Sequence, residues 1–506
     1  MLTAPSLPLL AALFFAPTAA QDLAAAPQSV AHTSATPLER ALESVNDRAI
    51  RADMDFLAGP ALGGRGTPSP ELELAARYVE ARLRRLGIEP GTTDGYQNRF
   101  DLSGLQLDVE RCSISITAPE GQRTLQLGDG AYLRSGSDLI DVDVDAGVVA
   151  VGDGSRSVID EVGDLTGSWA LMFESGRGTT GAIRRLVDAG AAGVLVTPGN
   201  EYEREPYAER YADSLERLGK LRYSSPTSAP PEARTGAPVL LVDREVGTWM
   251  LSSLGFDAAP APGTRLDLRV AERRAVTRKD ASAPNVAGLL RGTDPELASQ
   301  VLVLCAHLDH LGTDAEGVVY PGADDNASGT VGLLALAEAI VARGAYGRSV
   351  LFLWVSGEES GLWGSAMWCR DPRLPAGLAP RAAYNMDMIG RDAPATLWVT
   401  PTSEHAAFNP FAALAPELAG TEGFEDIVSQ DSYWRASDHY SFASELRIPV
   451  LYLSSGEHDD YHKPTDLPER IDFDKLERIV RLTLRILERT DGLTLEPVES
   501  VDGRPR

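Results

Sequence analysis

Residues 300–360 read QVLVLCAHLDHLGTDAEGVVYPGADDNASGTVGLLALAEAIVARGAYGRSVLFLWVSGEES. Two continuous apolar runs, Gln300–Ala306 and Ser349–Val355, flank a Gly-punctuated turn and an apolar stretch from about Ser328 to Arg343. Runs this short and without alternation predict strands buried on both faces, and the longer stretch between them predicts a helix. Strand, helix, strand in this order predicts a sheet with helices on both sides. The pattern continues outward with strands at Ala382–Met386 and Ile448–Leu453 and a helix over Asp472–Arg489. The fold class expected is therefore α/β, a three-layer α/β/α domain.

Towards the N-terminus the texture changes twice. Helical spacing begins near Leu38, the loop GPALGGRGTPSPE (59–71) breaks it, and Glu71–Leu86 resumes as an amphipathic helix closing at Gly87. From about Leu102 to Val270 the chain shows short β-like runs and Gly turns: GVVAVGDG, WALMFES, GVLVTPG and APVLLVD, with a helix in AIRRLVDAGAAG. Tyr202–Pro231 is polar and charge-rich without a core pattern, and reads as a surface excursion. The division expected is an N-terminal part of the main domain over 38–110, an inserted β-rich domain over 111–275, the rest of the main domain over 276–493 and a tail over 494–506.

Composition excludes several classes of partner. The chain of 506 residues holds 47 basic and 73 acidic residues, a formal charge of -26. That field repels nucleic acid and anionic membranes, so neither is an expected partner. Leu7–Phe15 is apolar but too short to span a bilayer, and Ala16-Pro-Thr-Ala-Ala20 follows with small residues suited to cleavage. Residues 1–20 are expected to be a signal peptide, 21–37 a flexible leader, and the protein to be periplasmic or extracellular without a membrane anchor. With only Cys112, Cys305 and Cys369, a disulfide scaffold is not expected.

Acidic and imidazole side chains gather where the apolar runs stop: His307, Asp325, Glu358, Glu359, Asp387 and His462. In open α/β sheets the ends of strands are where loops converge on a site. A Glu pair alone reads as solvated surface; directly after LFLWVSG it does not. Two imidazoles and three carboxylates can hold two divalent cations if one carboxylate bridges them. One Glu is then left over as a base, and this makes hydrolysis the expected chemistry. Asp309, two residues past His307, is placed to accept the other ring N–H of that histidine, and Asp466 could do the same for His462.

The ordered set HLD, GADDNASG, EESGLWGS, NMDM and YHKPTD resembles the co-catalytic zinc aminopeptidases, a group that includes glutamate carboxypeptidase-like exopeptidases. The likeness extends over about 40–110 and 280–490. It implies a phosphorylase/hydrolase-like fold and two Zn2+ per chain. By motif position Asp325 would bridge, His307 and Asp387 would complete one zinc site, and Glu359 and His462 the other. Glu358 would be the general base acting on a metal-bridging water, and Tyr461 would polarise the scissile carbonyl. A cis peptide is implied after Asp325, and Ser437-Asp438-His439 would be structural. The insert resembles a protease-associated (PA) domain in GDLTGSWALMFES, RRLVDAGAAGVLVTPG and PVLLVDRE. The expected activity is a secreted zinc exopeptidase, an aminopeptidase acting on peptide or protein N-termini. A carboxypeptidase of the same family, a glutaminyl-cyclase-like acyltransferase using one zinc, and a non-enzymatic binding homologue stand as alternatives.

Overall fold

The computed structural model describes residues 35–134, 139–175, 178–200, 202, 204–227 and 237–501. The expected signal peptide and nearly all of the expected leader lie outside them, as does the tail beyond Val501. From Pro37 onward the chain forms one unit. Among the described residues no helix is long and apolar enough to cross a membrane.

Among the described residues the main sheet has ten strands. Eight of them form its body: β1 (Gln97–Leu107), β2 (Val276–Leu290), β3 (Gln300–His307), β4 (Ser349–Val355), β5 (Ala379–Met386), β6 (Thr396–Thr400), β7 (Asp426–Ser429) and β8 (Val450–Ser454). Their spatial order is β7-β6-β8-β5-β3-β4-β2-β1, with Arg222–Tyr223 beyond β1 and Glu89–Pro90 beside β2. The four central strands β8, β5, β3 and β4 are mutually parallel. Antiparallel pairings close in on both sides, β6 on β8 and β2 on β4.

Successive residues of the central strands feed opposite faces, as the pleat requires. Leu302, Leu304, Phe352, Trp354, Tyr384 and Leu453 join one apolar core, while Val301, Val303, Cys305, Leu351, Leu353 and Val450 join another. Helices α1 (Pro37–Ser44), α2 (Asp47–Leu57), α3 (Pro70–Leu86), α4 (Gly329–Arg343) and α6 (Phe473–Thr490) contribute to the first core, and α5 (Trp363–Arg370) to the second. Both faces of the sheet are thus covered, the arrangement continuous apolar strands require. Helix α3 is built as its sequence signals: the Ser69 side chain accepts from Leu72 N, Pro70 starts the helix, and Gly87 ends it at φ 73°.

Strands β1 and β2 pair antiparallel without interruption from Leu107↔Val276 to Gln97↔Val286. Between their far ends lies a closed barrel whose strands run between Ser113 and Arg274. Trp169, Leu171, Leu195, Leu240 and Val270 are among the side chains in one of its apolar clusters. At the junction the buried Arg274 guanidinium pairs with the buried Glu272 carboxylate.

The stretch from Tyr202 departs from the reading as a surface excursion. Tyr207 is buried and donates its hydroxyl to Glu174, and Tyr132, Tyr202 and Tyr211 set their rings edge-on around it. Arg222–Tyr223 then adds a short strand to the main sheet at β1. Aromatic residues isolated among charges hide a core that periodicity does not show, because the apolar partners come from distant strands.

Candidate metal centre

The carboxyl ends of the parallel strands set the positions of the site. His307 is the last residue of β3, Asp387 follows β5 directly, Glu358 and Glu359 lie on the turn after β4, and His462 sits on the loop after β8. Asp325 lies in the irregular turn Ala323–Ser328 that leads into α4, and its peptide bond to Asn326 is cis.

The turn is held in place by hydrogen bonds from several sides. Asn326 donates from Nδ2 to Met386 O and accepts at Oδ1 from Gly329 N and Met388 N. Asp324 Oδ1 accepts from Gly390 N. Asp466 accepts from the backbone N–H groups of Asp324 and Asp325 at 3.0–3.1 Å. Asp466 therefore supports the turn and is not the partner of His462 that the sequence suggested.

Asp325 divides its two oxygens between two groups. Oδ1 lies 3.4 Å from His307 Nε2, which is also 3.2 Å from Asp387 Oδ1. Oδ2 lies 3.2 Å from His462 Nε2, which is 3.1 Å from Glu359 Oε2. The structure thus brings all five expected ligands together, as two trios sharing one carboxylate. Neither trio includes Glu358. A residue the sequence reading passed over, His310, lies against the second trio: its Nδ1 stands 2.6 Å from Glu359 Oε1 and 3.6 Å from Asp325 Oδ2.

Hydrogen bonds behind these side chains aim them. His307 Nδ1 is 3.1 Å from the backbone carbonyl of Asp309, whereas the Asp309 carboxylate stands 3.8 Å away. The ring is thus fixed by the carbonyl and not by the carboxylate that the HLD spacing suggested. That carboxylate instead accepts from Thr67 Oγ1 and from Glu358 N, joining the GRGTPSPE loop to the Glu pair. Asp387 Oδ2 accepts from Ser437 Oγ, which in turn accepts from Asn385 Nδ2. In the SDH segment Ser437 positions a ligand and His439 stacks on Tyr452, and none of the three joins a trio. Tyr461 stacks on the His462 ring at 3.8 Å between centroids.

A buried cation anchors the floor. Arg65 donates to the carbonyls of Leu308, Leu57, Pro321 and Gly322 at 2.6–3.0 Å. It thereby ties the turn after β3 to the turn that carries Asp325. Burial lowers the guanidinium pKa to about 10, against the pull of Asp309 and Asp325.

The electrostatics are those of a cation site. Asp325 is held well below the usual carboxylate range: burial acts to raise it, but His310, His307 and His462 outweigh that. Burial works against a charged His307, yet Asp387, Glu358 and Asp325 push its ring well above the ordinary value. Asp325 and Glu359 push His462 up to about 10. Burial pushes Glu358 well above the ordinary Glu value, with His307 acting to lower it and Asp387 to raise it further.

The residues fit two divalent ions. Two donors about 2.0–2.1 Å from one ion at a tetrahedral angle lie roughly 3.3 Å apart. The four imidazole–carboxylate separations within the two trios, 3.1–3.4 Å, match that spacing. His462 Nε2 sits between two carboxylate oxygens without the alignment of a hydrogen bond.

Protons stand in for the ions when the ions are away. A ligating imidazole must be neutral, so metal must displace the proton that His462 holds up to about pH 10. Uptake of metal by the stripped protein is expected to release protons, and the affinity to rise about tenfold per pH unit per proton displaced. The gain from this ring ends above about pH 10. Calorimetric titration in buffers of different ionisation enthalpy checks it; no proton release at pH 7 would contradict the arrangement.

Residues 285–487 match the profile of Peptidase family M28. The matched segment contains every residue of both trios, together with Glu358 and Tyr461. Among curated relatives, a "Probable leucine aminopeptidase" of Arthroderma otae is 26% identical over 192 residues, covering 36% of this chain and 52% of that one. Another of the same name from Arthroderma benhamiae is 22% identical over 300 residues, covering 57% and 76%. The chain thus spans about half the length of the first of these. In fold, the chain is similar to an aminopeptidase from Aneurinibacillus sp. strain AM-1, with TM-score 0.51 and 19% identity over 93% of this chain and 100% of that one.

Proposed function

We propose that the protein is a zinc-dependent exopeptidase, an aminopeptidase holding two zinc ions per chain. The observation that carries the proposal is Asp325, whose two oxygens face two separate trios while Glu358 belongs to neither. An all-nitrogen and oxygen donor set of His and carboxylate suits zinc. When bound, the ions supply Lewis-acid polarisation of a peptide carbonyl and acidify water towards neutrality.

The chain's own residues supply the rest. Glu358 takes the proton from the attacking water and returns it to the departing amine, general base and then general acid. Tyr461 offers its hydroxyl to the scissile carbonyl. Burial, and then Asp325 and Asp387, raise its pKa, so it keeps the proton it must donate. The cluster is rich in carboxylates, which suits a substrate with a free ammonium group. The printed names of the relatives favour the aminopeptidase over the carboxypeptidase reading.

The proposal includes export by residues 1–20 and a PA-like role for residues 111–275. Among the described residues, both clusters that could hold a metal lie outside the barrel, which supports a non-catalytic role for it. Paired peptides, one with a free amino terminus and one N-acetylated, test the activity on the zinc-loaded protein. Cleavage of the free peptides at their first bond is expected, with the acetylated ones resistant. Release of C-terminal residues from both sets would establish a carboxypeptidase instead.

A further inference from the structure

His310 is the third imidazole at the centre, and its place differs from that of the other two. The side chain is fully buried, its ring meets that of His462 edge-on at 5.8 Å, and Nε2 has no hydrogen-bond partner among the described residues. The backbone makes room for it. At Gly322, with φ 58°, a Cβ would stand 2.4 Å from His310 Cγ and 2.5 Å from Cδ2, closer than any side chain tolerates. The ring thus fills a gap that glycine leaves at the start of the turn carrying Asp325, and Nδ1 points at Glu359.

The separation between donors decides what His310 does. Pairs that could share an ion lie 3.1–3.4 Å apart here. His310 Nδ1 and Glu359 Oε1 are 2.6 Å apart, shorter than two donors on one ion even at a right angle, about 2.9 Å. The distance suits a hydrogen bond to a carboxylate. We propose that His310 is a positioning residue, donating its Nδ1–H to Glu359 Oε1 and leaving Oε2 turned towards the zinc shared with Asp325 and His462. In the neutral ring that donates from Nδ1, Nε2 is a bare lone pair, which agrees with its lack of a partner. This inference rests on the two-zinc reading.

Partners of this kind change metal affinity when removed, by about 10–100-fold. His310→Leu keeps bulk and removes the donor; His310→Asn keeps an N–H close to the Nδ1 position. Zinc per chain is measured by elemental analysis after dialysis against buffered free zinc, with near-ultraviolet circular dichroism as the fold control. H310L should weaken one zinc about 10–100-fold and leave the other, while H310N stays within about threefold of wild type. Zinc-edge X-ray absorption on the wild-type protein, independent of either variant's folding, should count one imidazole per zinc. Unchanged affinity in H310L, equal loss in both variants, or three imidazoles over two ions would each overturn the proposal. A wild-type protein that takes up fewer than two zinc ions would instead refute the two-zinc reading.

Discussion

Glu358→Gln is expected to bind both ions of the proposed two-zinc centre and to lose about 10²–10⁴-fold in kcat. The substitution keeps the shape and the hydrogen-bonding capacity of the side chain and removes only its ability to accept a proton. Metal content should hold because Glu358 belongs to neither trio, whereas its neighbour Glu359 contacts His310 and His462. KM should move far less than kcat, since the lost interaction belongs to the transition state. The control is Glu359→Gln, which removes charge from a ligand and should weaken one zinc. Zinc analysis beside steady-state kinetics reads both. Near-normal turnover in E358Q, with E359Q keeping both metals yet inactive, would mean that the two roles are reversed.

Asp325→Ala has the largest effect on metal, because one side chain serves both trios. Removing it leaves His307 with Asp387 on one side and His462 with Glu359 on the other, two protein donors where a zinc site uses three or four. Both ions should be lost on dialysis against buffered free zinc that keeps the wild type saturated, and activity with them. Asp387→Ala, by contrast, should cost one ion first, since Asp387 belongs to one trio only. If D325A retained one ion at wild-type affinity, the bridge would be disproved. Saturation of the wild type at one zinc under excess would favour the acyl-transfer alternative.

Much of this was legible because apolar strands are long enough to see and their ends mark the site. The runs around Leu302 and Leu351 were readable as buried strands, and the residues just past them as members of one cluster of side chains. His310 was not, because nothing in HLDH says which way the residue after Asp309 turns. That depends on the gap at Gly322, contributed by a turn twelve residues later. For Asp309 and Asp466, proximity in sequence pointed to an imidazole, but backbone amides won, since a turn carrying a buried carboxylate must satisfy its own N–H groups. Closure of the barrel was likewise hidden, because it joins strands as far apart as Ser113–Ala118 and Arg265–Arg274, which no local pattern records.

The ribbon of β1 and β2 also constrains the order of folding. Its closing pair, Leu107 and Val276, is separated by the whole barrel segment. Bringing such distant ends together in an unfolded chain carries an entropic cost that grows with the logarithm of the intervening length. Once the barrel has closed, pairing Ser113–Ala118 with Arg265–Arg274, that search has already been made. The two strands then zip like a hairpin whose turn is a folded body. Nucleation of the ribbon thus waits on the barrel, and a substitution buried near Trp169, in the barrel's own apolar cluster, should delay assembly of the sheet on which the candidate metal centre stands.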